Sequence, residues 1–356
     1  MNNKKKILFL GETHRADAIT WMEGLREFGN FEIITWELKK SGKGIYKRLL
    51  RLVEFFCCIF VIKKIIRTQK PDMVIAERST SYGFLAAICG VKPIAIAQQG
   101  ITDLWPKNET TYYFKKFIQK QAYKQADLIH AWGEVMAVSM RKHNVNMSKV
   151  MILPKGINML QFENENTASE TKIEAIVTRS LFPEYSHAII LKAFSSLNKQ
   201  NIDFKLTIVG DGNQNRILQE LSKKLNIEDK VIFTGRIPNS ELPALLQKSN
   251  IYISMPTTEG VSSSLFEAMA SGCYPIVTDI AGNQAWIKHR ENGQLIEVNN
   301  FQLLADEILW AYQNADFRKK AILQNKIFVQ KNANYATNMK IISEKYHELI
   351  NLKTNS

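Results

Sequence analysis

The sequence predicts an α/β protein made of two doubly wound domains, each with a parallel sheet covered by helices, that face each other across a cleft. Three observations indicate this. Short apolar runs of strand length alternate with segments of helical periodicity, which is the pattern of βαβ units. The alternation stops at a polar, acidic segment, residues 161–171, and then starts again. The chain of 356 residues is long enough for two domains, each with its own core.

In the first half, strands and helices alternate from the N-terminus onward. Apolar runs predict five strands: Lys6–Leu10, Phe31–Trp36, Asp72–Ala76, Ile94–Ala97 and Leu128–Ala131. Helical periodicity between them predicts four helices: Ala16–Phe28, Tyr46–Gln69, Tyr82–Cys89 and Lys107–Lys124. Because ligands bind beyond the carboxyl ends of the strands in such sheets, we expect functional side chains in the loops that follow the strands.

The second half repeats this alternation after the polar segment, which we interpret as a linker. The predicted strands are Ala175–Thr178, Phe204–Val209, Val231–Thr234, Ile251–Ser254 and Ile276–Thr278. The predicted helices are Ala188–Leu197, Ile217–Leu225, Leu242–Leu246 and Leu265–Ala270, with further helices from Phe301 to the end. We therefore predict an N-terminal domain over 1–160 and a second domain over 161–334. We expect the helix over 335–356 to pack back on the N-terminal domain.

The formal charge of +13 is unevenly distributed. Residues 1–160 carry 26 Lys and Arg against 13 Asp and Glu, whereas the remainder carries 21 of each. A basic half suggests an anionic partner, either nucleic acid, a membrane surface or a phosphate-bearing substrate, although a solvated surface without a partner is an equal alternative. The helix Tyr46–Gln69 has basic ends and an apolar centre, which fits either an interfacial membrane helix or a helix that covers the sheet. The basic side chains considered for membrane contact are Lys39, Lys40, Lys43, Lys47, Arg48 and Arg51.

The densest functional pattern runs from Met255 to Asp279. A strand is followed by a loop rich in Gly, Ser and Thr, and a helix then begins near Ser264. Backbone N–H groups at such a helix N-terminus are suited to bind phosphate. Glu259 in the loop and Glu267 eight positions later could accept hydrogen bonds from sugar and ribose hydroxyls. The alternative is that Ser263 or Ser264 caps the helix and Glu267 completes a capping box.

The segment Glu259–Asp279 resembles the E-x7-E signature of the retaining GT-B glycosyltransferases of family 4, the glycosyl transferases group 1. Three further segments resemble that family in the same order: Lys205–Gly212, Val231–Pro238 and Ala281–Ile287. Milder similarities begin at Pro71 and Ala126, and another covers Val150–Asn158. The resemblance covers most of the chain, and it implies the GT-B fold.

The resemblance also implies a role for individual residues. Glu267 would hold the ribose hydroxyls, and Arg179 would neutralise the diphosphate and act in catalysis together with Glu259. A guanidinium suits this role because it stays protonated and pairs with phosphate oxygens. The implied donor-binding residues are Gly11, Gly210, Asp211, Gly212, Arg236, Ile237, Glu259, Gly260, Val261, Ser262 and Glu267.

The sequence departs from the family pattern at three places. Tyr185 lies in the region where family members often have a lysine, Asp17 stands where a histidine is frequent, and Lys155 replaces the asparagine of a common Pro-Asn-Gly. Charge neutralisation at the diphosphate would then involve Arg179 and backbone N–H groups, with Lys155 or His187 as additional candidates. We expect the acceptor to be bound by His14, Asp17, Gly100 and Lys155.

The resemblance implies a metal-independent transferase that needs no cofactor. It would move a sugar, with retention, from a nucleotide-diphosphate sugar, UDP- rather than GDP-, to a lipid-linked or saccharide acceptor. The product would serve the synthesis of cell-envelope polysaccharide, capsule or lipopolysaccharide. No Asp-x-Asp pair that could hold a divalent ion is present in the sequence.

Placing the donor on the neutral half leaves the basic half to the acceptor, so the expected partner is an anionic membrane and not nucleic acid. Since the longest apolar stretch, Phe55–Ile62, is too short to cross a bilayer, we expect a cytoplasmic protein that is peripheral on the inner face of the membrane. Two alternatives stay open: a sugar-nucleotide 2-epimerase of the same fold, and a non-catalytic basic module that binds membrane or nucleic acid.

Overall fold

The computed structural model describes residues 4–38, 45–104, 112–163, 167–169 and 171–354, without the side chains of residues 45–52 and 56. The chain divides into two compact units. Unit 1 comprises Met1–Lys155 together with Tyr335–Ser356, and unit 2 comprises Gly156–Asn334. The division after Lys155 lies five residues before the expected boundary at residue 160.

Unit 1 contains a six-stranded sheet in the order β2-β1-β3-β4-β5-β6, and its neighbouring strands pair in parallel. Its strands are β1 (Lys6–Leu10), β2 (Glu32–Trp36), β3 (Met73–Ala76), β4 (Ile94–Gln98), β5 (Leu128–Ala131) and β6 (Val150–Ile152). The connecting helices are α1 (Ala16–Gly29), α2 (Ile45–Gln69), α3 (Ser81–Ile88), α4 (Tyr112–Gln125) and α5 (Glu134–Lys142). Residues 107–111 of the helix predicted over Lys107–Lys124 lie outside the described residues.

Unit 2 contains a second parallel sheet in the order β12-β11-β10-β7-β8-β9. Its strands are β7 (Ile173–Thr178), β8 (Phe204–Val209), β9 (Val231–Gly235), β10 (Ile251–Ser254), β11 (Tyr274–Thr278) and β12 (Gln294–Ile296). Its helices are α6 (His187–Lys199), α7 (Asn215–Lys224), α8 (Leu242–Gln247), α9 (Ser263–Ala270), α10 (Ala281–Gln284), α11 (Phe301–Gln313) and α12 (Ala315–Asn332). Four single turns of 3-10 helix accompany the two sheets: Met147–Lys149, Met159–Gln161, Pro183–Tyr185 and Glu228–Lys230.

The last helix, α13 (Tyr335–Thr354), belongs to unit 1 and packs on α1. Its residue Tyr346 is fully buried, and the Tyr346 hydroxyl lies 2.7 Å from Nε2 of His130 on β5. The Tyr335 hydroxyl donates a hydrogen bond to the carbonyl oxygen of Thr20 at 2.6 Å. The end of the chain therefore contributes to the core of the first unit.

Apolar clusters cover both faces of the sheet in unit 2. Side chains alternate across a strand, so Ala175 and Val177 of β7 fall in one cluster and Ile176 falls in the other. This arrangement, together with the parallel strand order of both sheets, confirms the predicted doubly wound α/β fold class. Phe162, at the start of the segment expected to be a linker, is buried beside Ile157 and Met159 in one of these clusters. Residues 164–166 and 170 of that segment lie outside the described part of the chain.

Each sheet reverses its strand order at one place. In unit 1 the reversal lies between the neighbouring strands β1 and β3, and in unit 2 it lies between β7 and β10. The loops that follow such a pair of strands diverge and leave a crevice at their carboxyl ends, where ligands of doubly wound sheets bind. The residues that follow these four strands are therefore the first place to look for a site.

Among the strands and α-helices of the described residues, β6, β12, α5 and α10 are not predicted by the sequence patterns. Both missed strands are three residues long and form an edge of their sheets, so each pairs on one side only and needs no long apolar run. Helix α10 is a single turn of four residues. Across the described residues, the structure contains no helix with the length and apolarity needed to span a membrane.

Candidate active site

The predicted donor residues of unit 2 meet at the carboxyl ends of β7 and β10. Arg179 is the first residue after β7, and Ser254 is the last residue of β10. Glu259 lies in the loop that leads from β10 to α9, and Ser262 is the N-cap residue of α9. Arg179 is distant in sequence from the other three residues, and the neighbouring positions of β7 and β10 bring it to them.

Arg179 is held from several sides. Its Nε donates a hydrogen bond to Oγ of Ser254 at 3.2 Å, and its Nη2 donates to Oγ of Ser262. The same Nη2 lies 2.5 Å from Oε2 of Glu259, and the two side chains are only 12% and 16% exposed. The Arg179 guanidinium carbon lies 5.4 Å from the centre of the Tyr185 ring. A guanidinium fixed in this way needs little reorganisation to meet an anion.

The charge of Arg179 is stabilised by its surroundings. Burial alone would lower its pKa, but the neighbouring Tyr252, Glu259 and Tyr185 raise it above the ordinary value of arginine. For Glu259, burial raises the pKa, while Arg179 and the N–H of Gly260 act in the opposite direction. The two residues expected to act in catalysis thus form one largely buried ion pair.

Glu267 lies in α9, and its environment differs from that of Glu259. Burial raises the pKa of its carboxyl to about 7, with Arg179 as the only opposing influence. The capping-box alternative for Glu267 is wrong: Ser262 caps the helix by accepting a hydrogen bond from the N–H of Leu265 at 3.2 Å, which places Glu267 beyond the capping position. Its carboxylate is therefore available for a ligand hydroxyl.

Glycines hold the loop of Glu259 and the segment of Arg179 at close range. A Cβ on Gly282 in α10 would lie 2.2 Å from the carbonyl oxygen of Glu259. A Cβ on Gly210 would lie 2.3 Å from the carbonyl oxygen of Arg179, and the φ of Gly210 is +143°. A Cβ on Gly212 would lie 2.4 Å from the carbonyl oxygen of Leu181. Side chains at these positions would displace the backbone that carries the two charged residues.

The remaining predicted donor residues border this cluster. Asp211 accepts hydrogen bonds at Oδ1 from the N–H of Gly212 at 2.8 Å and from Asn215 Nδ2 at 3.2 Å. Gly210 donates its N–H to the carbonyl oxygen of Gly235 at 3.0 Å, which connects this loop to the end of β9. Arg236 and Ile237 follow directly: Arg236 is exposed, and Ile237 packs half-buried against the core. Gly260 and Val261 are both half-buried in the loop before α9.

His187, considered as an additional cation for the diphosphate, does not fit that role. The side chain is buried at the start of α6, and this burial lowers its pKa to about 4. The imidazole is therefore neutral near pH 7. The sequence pattern left a protonated His187 open because it does not show that this side chain is buried at the start of α6.

In unit 1, the residues expected to bind the acceptor lie near the carboxyl ends of the strands, with different surroundings. Nδ1 of His14 lies 3.5 Å from Oε2 of Glu37, and both side chains are exposed. Asp17 lies in the first turn of α1, with its Oδ1 3.3 Å from Nε of Arg15. Gly100, in the loop after β4, accepts a hydrogen bond at its carbonyl oxygen from Nε2 of Gln98 at 2.8 Å.

Lys155 is placed among aromatic rings. Its Nζ lies 4.8 Å from the ring centre of Trp132 and 5.9 Å from that of Trp21, and it donates a hydrogen bond to the carbonyl oxygen of Asp17 at 2.8 Å. Burial lowers the pKa of Lys155 to about 8, although Asp17 and Glu77 act in the opposite direction. The ammonium is thus engaged within unit 1.

Gly11 is in contact with a residue that the sequence patterns do not single out. A Cβ on Gly11 would lie 2.6 Å from Cβ of Glu77 and 2.7 Å from its Oε2. Glu77 directly follows β3 and is fully buried. The space next to Gly11 is thus filled by the Glu77 side chain, and the approach of a phosphate to Gly11 stays a prediction. The one sequence feature that could have indicated a functional role for Glu77 is its position as an acidic residue directly after an apolar strand.

No set of three or more acidic, histidine or cysteine side chains within the described ranges is arranged to hold a metal ion.

Comparison with known proteins shows which families the chain resembles. Residues 159–327 match the family model of the glycosyl transferases group 1, and residues 6–132 match the glycosyl transferase 4-like model. The chain is 25% identical over 304 residues to protein CapJ of Staphylococcus aureus, covering 83% of this chain and 69% of that protein. For several other relatives the match spans about half to two thirds of their own length.

A relative from Campylobacter jejuni is named as an N-acetylgalactosaminyltransferase that acts on an N-acetylgalactosamine-N,N'-diacetylbacillosaminyl-diphospho-undecaprenol. It is 29% identical over 285 residues, covering 74% of this chain and 76% of that protein. The Anabaena protein HepE, solved in complex with UDP, has the same fold, with a TM-score of 0.80 and 16% identity over 97% of this chain and 100% of that one. The two family models, the named relatives and the shared fold thus make the chain similar to glycosyltransferases with the GT-B fold.

Proposed function

We propose that the chain is a retaining glycosyltransferase of family 4 that uses a nucleotide-diphosphate sugar, UDP- in preference to GDP-, as its donor. Its acceptor would be a lipid-linked molecule or a saccharide in the synthesis of bacterial cell-envelope polysaccharide, capsule or lipopolysaccharide. The observation that carries this proposal is the cluster of Arg179, Glu259 and Glu267 at the carboxyl ends of β7 and β10.

The cluster suits the cleavage of a bond between a sugar and a diphosphate. As this bond breaks, positive charge develops on the sugar and negative charge on the leaving diphosphate. Arg179 stays protonated and contacts Ser262, where α9 begins, so the guanidinium and the N–H groups of the first turn of α9 would both stabilise the anion. This chemistry requires no cofactor and, in our proposal, no metal ion. The leaving phosphate would help to remove the proton from the acceptor hydroxyl.

The two glutamates would have separate roles. Glu259, paired with Arg179, would bind the donor sugar when the diphosphate takes over the guanidinium. Glu267 has no hydrogen bond from the described residues to offset its burial, and a ribose diol would supply two. Donor binding would thus exchange the Arg179 partner of Glu259 for the sugar and supply Glu267 with a partner.

Names of similar proteins support the choice of substrates. The Anabaena structure contains UDP, and the Campylobacter relative is named for a diphospho-undecaprenol acceptor. That relative is also named as a transferase, which favours transfer over the 2-epimerase alternative. We therefore choose UDP as the first nucleotide to test and a polyprenyl diphosphate saccharide as the first acceptor.

We also propose that unit 1 associates with an anionic membrane from the cytoplasmic side. The exposed face of α4 carries Tyr113 (80% exposed) and Phe117 (55% exposed), one helical turn apart, beside the exposed Lys116 and Lys120. Phe60 on α2 is 73% exposed. Aromatic rings next to lysines suit the boundary between headgroups and acyl chains.

The basic residues of the 39–51 segment considered for membrane contact fall outside the described atoms. Lys39, Lys40 and Lys43 lie outside the described residues, as do the side chains of Lys47, Arg48 and Arg51. The apolar centre of helix α2 has one face that packs in the core and one face that is open for membrane contact. Phe55, Cys58 and Ile62 are buried, whereas the face with Phe60 is exposed.

The transferase proposal is tested with UDP-glucose, UDP-galactose and UDP-N-acetylglucosamine in the presence of EDTA, with farnesyl-diphosphate-linked N-acetylglucosamine as the acceptor. We expect release of UDP from at least one donor, and a product whose anomeric configuration, read by NMR, equals that of the donor. Arg179→Ala is expected to lower turnover by at least 100-fold. Inversion at the anomeric carbon, or full dependence on a divalent ion, would contradict the proposed mechanism.

The membrane proposal is tested by flotation with vesicles of phosphatidylethanolamine and phosphatidylglycerol. We expect wild-type protein to float with these vesicles, and a variant with Phe60→Ser, Tyr113→Ser and Phe117→Ser to remain in solution. The matched control carries Leu323→Ser and Ile327→Ser, two exposed apolar residues of α12 in unit 2, and should float like the wild type. Equal flotation of all three proteins would exclude this surface.

A further inference from the structure

One buried carboxylate oxygen in unit 1 has no hydrogen-bond partner. Glu77 is 0% exposed, and its Oε2 accepts a hydrogen bond from the N–H of Glu12 at 2.5 Å. Its Oε1 is buried without a hydrogen bond from the residues that the structure describes, and Nε of Arg15 lies 4.0 Å away. A buried polar atom without a partner is costly and usually indicates a bound water, ion or ligand.

The position of Glu77 is that of a ligand site in a doubly wound sheet. Glu77 follows β3, and Gly11 and Glu12 follow β1, so the carboxylate lies where the strand order of the sheet reverses. The side chains around it are partly exposed: Glu12 is 27% exposed, Arg78 31% and Arg15 45%. Arg15 is the most exposed of these and its Nε lies 4.0 Å from Oε1, so a ligand would approach Oε1 from the side of Arg15.

The charges around Glu77 disfavour an anion. Nη2 of Arg78 donates to Oε2 of Glu12 at 2.7 Å, and Arg15 contacts Glu12 at 3.4 Å and Asp17 at 3.3 Å. Both guanidinium groups are therefore engaged by carboxylates. A phosphate next to Oε1 would bring two negative groups together, and a metal ion there would face Arg15.

A hydroxyl group satisfies both sides of the gap. It can donate to Oε1 of Glu77, and its oxygen can accept from an Arg15 N–H other than the Nε–H and the Nη1–H that Asp17 and Glu12 accept. A neutral ligand with several hydroxyl groups is the chemical class that meets these requirements. A saccharide is such a ligand.

We infer that Glu77 and Arg15 form a hydroxyl-binding subsite for a saccharide on unit 1. The inference rests on the proposed transferase function, because that function supplies a sugar-containing substrate. In this inference, the saccharide part of the acceptor binds at Glu77 and Arg15, and the phosphate part of the acceptor binds to other residues. It also assigns a ligand to a residue pair that lies outside the predicted set of His14, Asp17, Gly100 and Lys155.

The test uses saturation-transfer NMR on the full chain, with UDP added to occupy the donor site. The probes are the methyl glycosides of glucose, galactose and N-acetylglucosamine, and inorganic pyrophosphate. We expect at least one glycoside to bind the wild type, and Glu77→Gln to weaken that binding about tenfold or more, since a hydrogen bond to a charged acceptor is lost. Arg15→Gln should weaken it as well. The control Glu134→Gln changes an exposed carboxylate on α5 and should bind like the wild type.

Thermal melts show whether each variant is folded. If Glu77→Gln does not fold, the test uses Arg15→Gln alone. Unchanged glycoside binding in a folded Glu77→Gln or Arg15→Gln variant would overturn the inference. The inference would also be overturned if wild-type protein binds UDP but no glycoside. It would likewise be overturned if the variants lose binding of pyrophosphate and keep binding of the glycoside. Failure of UDP to bind the wild type would instead contradict the proposed function.

Discussion

Replacing Glu267 by glutamine should stabilise the protein and weaken its binding of UDP. The carboxyl of Glu267 is half-buried and accepts no hydrogen bond from the described residues, and its desolvation raises its pKa from 4.5 to about 7. Above pH 7 the folded protein therefore contains a charged group that would be more stable in the unfolded chain. Glutamine has nearly the same shape and removes the charge.

The size of the effect follows from the pKa. The folded state binds the proton more tightly than the unfolded chain, so the free energy of unfolding falls as the pH rises from about 4.5 through about 7. For this pKa the loss reaches about 3 kcal/mol at pH 8, and at pH 5 it is below about 1 kcal/mol. The amide of glutamine also has to be buried, so we expect a net gain of about 1–3 kcal/mol at pH 8.

The assay is thermal and urea unfolding of the wild type and Glu267→Gln at pH 5 and pH 8. At pH 8 we expect a Tm that is about 2–8 °C higher for the variant, and at pH 5 a much smaller difference. Binding of UDP at pH 8 should weaken about tenfold, since the carboxylate no longer accepts from the ribose. Glu220→Gln, at a 61% exposed side chain of α7, is the matched control and should change neither quantity.

Two results would refute this reasoning. If the variant is not more stable than the wild type at pH 8, the Glu267 carboxylate is not destabilised by burial. If its stability rises but UDP binds with unchanged affinity, the carboxylate is buried but does not contact the nucleotide.

Two further variants test how the site is positioned. Gly282→Ala places a Cβ 2.2 Å from the carbonyl oxygen of Glu259, so the loop must move by about 1 Å, and we expect a loss of about 100-fold in kcat/KM at a stability cost of about 1–3 kcal/mol. Tyr185→Leu removes the ring next to Arg179 and should lower kcat/KM by about 2- to 30-fold, whereas Tyr185→Phe keeps the ring and should stay within about twofold of the wild type. Wild-type kinetics for Gly282→Ala, or equal losses for the two Tyr185 variants, would contradict these roles.

The donor cluster could be predicted from sequence because much of it is local. A strand, a loop rich in small residues and a helix follow one another over Ile251–Ala270, so Glu259, Ser262 and Glu267 belong to one continuous segment. Arg179 entered only through the resemblance to a family. Its contact with Ser254 depends on the pairing of β7 with β10, and no local pattern contains that pairing.

Unit 1 shows what local patterns leave out. Glu77 and Gly11 are in contact because β1 and β3 are neighbours in the sheet, although 65 residues separate Glu12 from Glu77 in the chain. The lowered pKa of Lys155 depends on its burial beside Trp21 and Trp132, which come from α1 and the end of β5. Such arrangements arise from the tertiary fold, so sequence periodicity could not predict them.

The net charge of the first half also has a more specific meaning in the structure. The residues around Glu77 combine Arg15 and Arg78 with Glu12 and Asp17, so the positive excess is not concentrated where the strand order of unit 1 reverses. Lysines of α4 lie instead beside exposed aromatic rings. This distribution favours two different contacts on unit 1, one with a sugar and one with a membrane surface.

In our proposal, unit 2 binds the nucleotide donor through Arg179 and Glu267 without a metal ion. Isothermal titration of UDP in the presence of EDTA tests it most directly, with the wild type, Arg179→Ala and Glu267→Ala. We predict binding to the wild type and affinities at least about tenfold weaker for both variants. Binding of UDP to folded variants with wild-type affinity, or binding to the wild type only after a divalent ion is added, would contradict the claim.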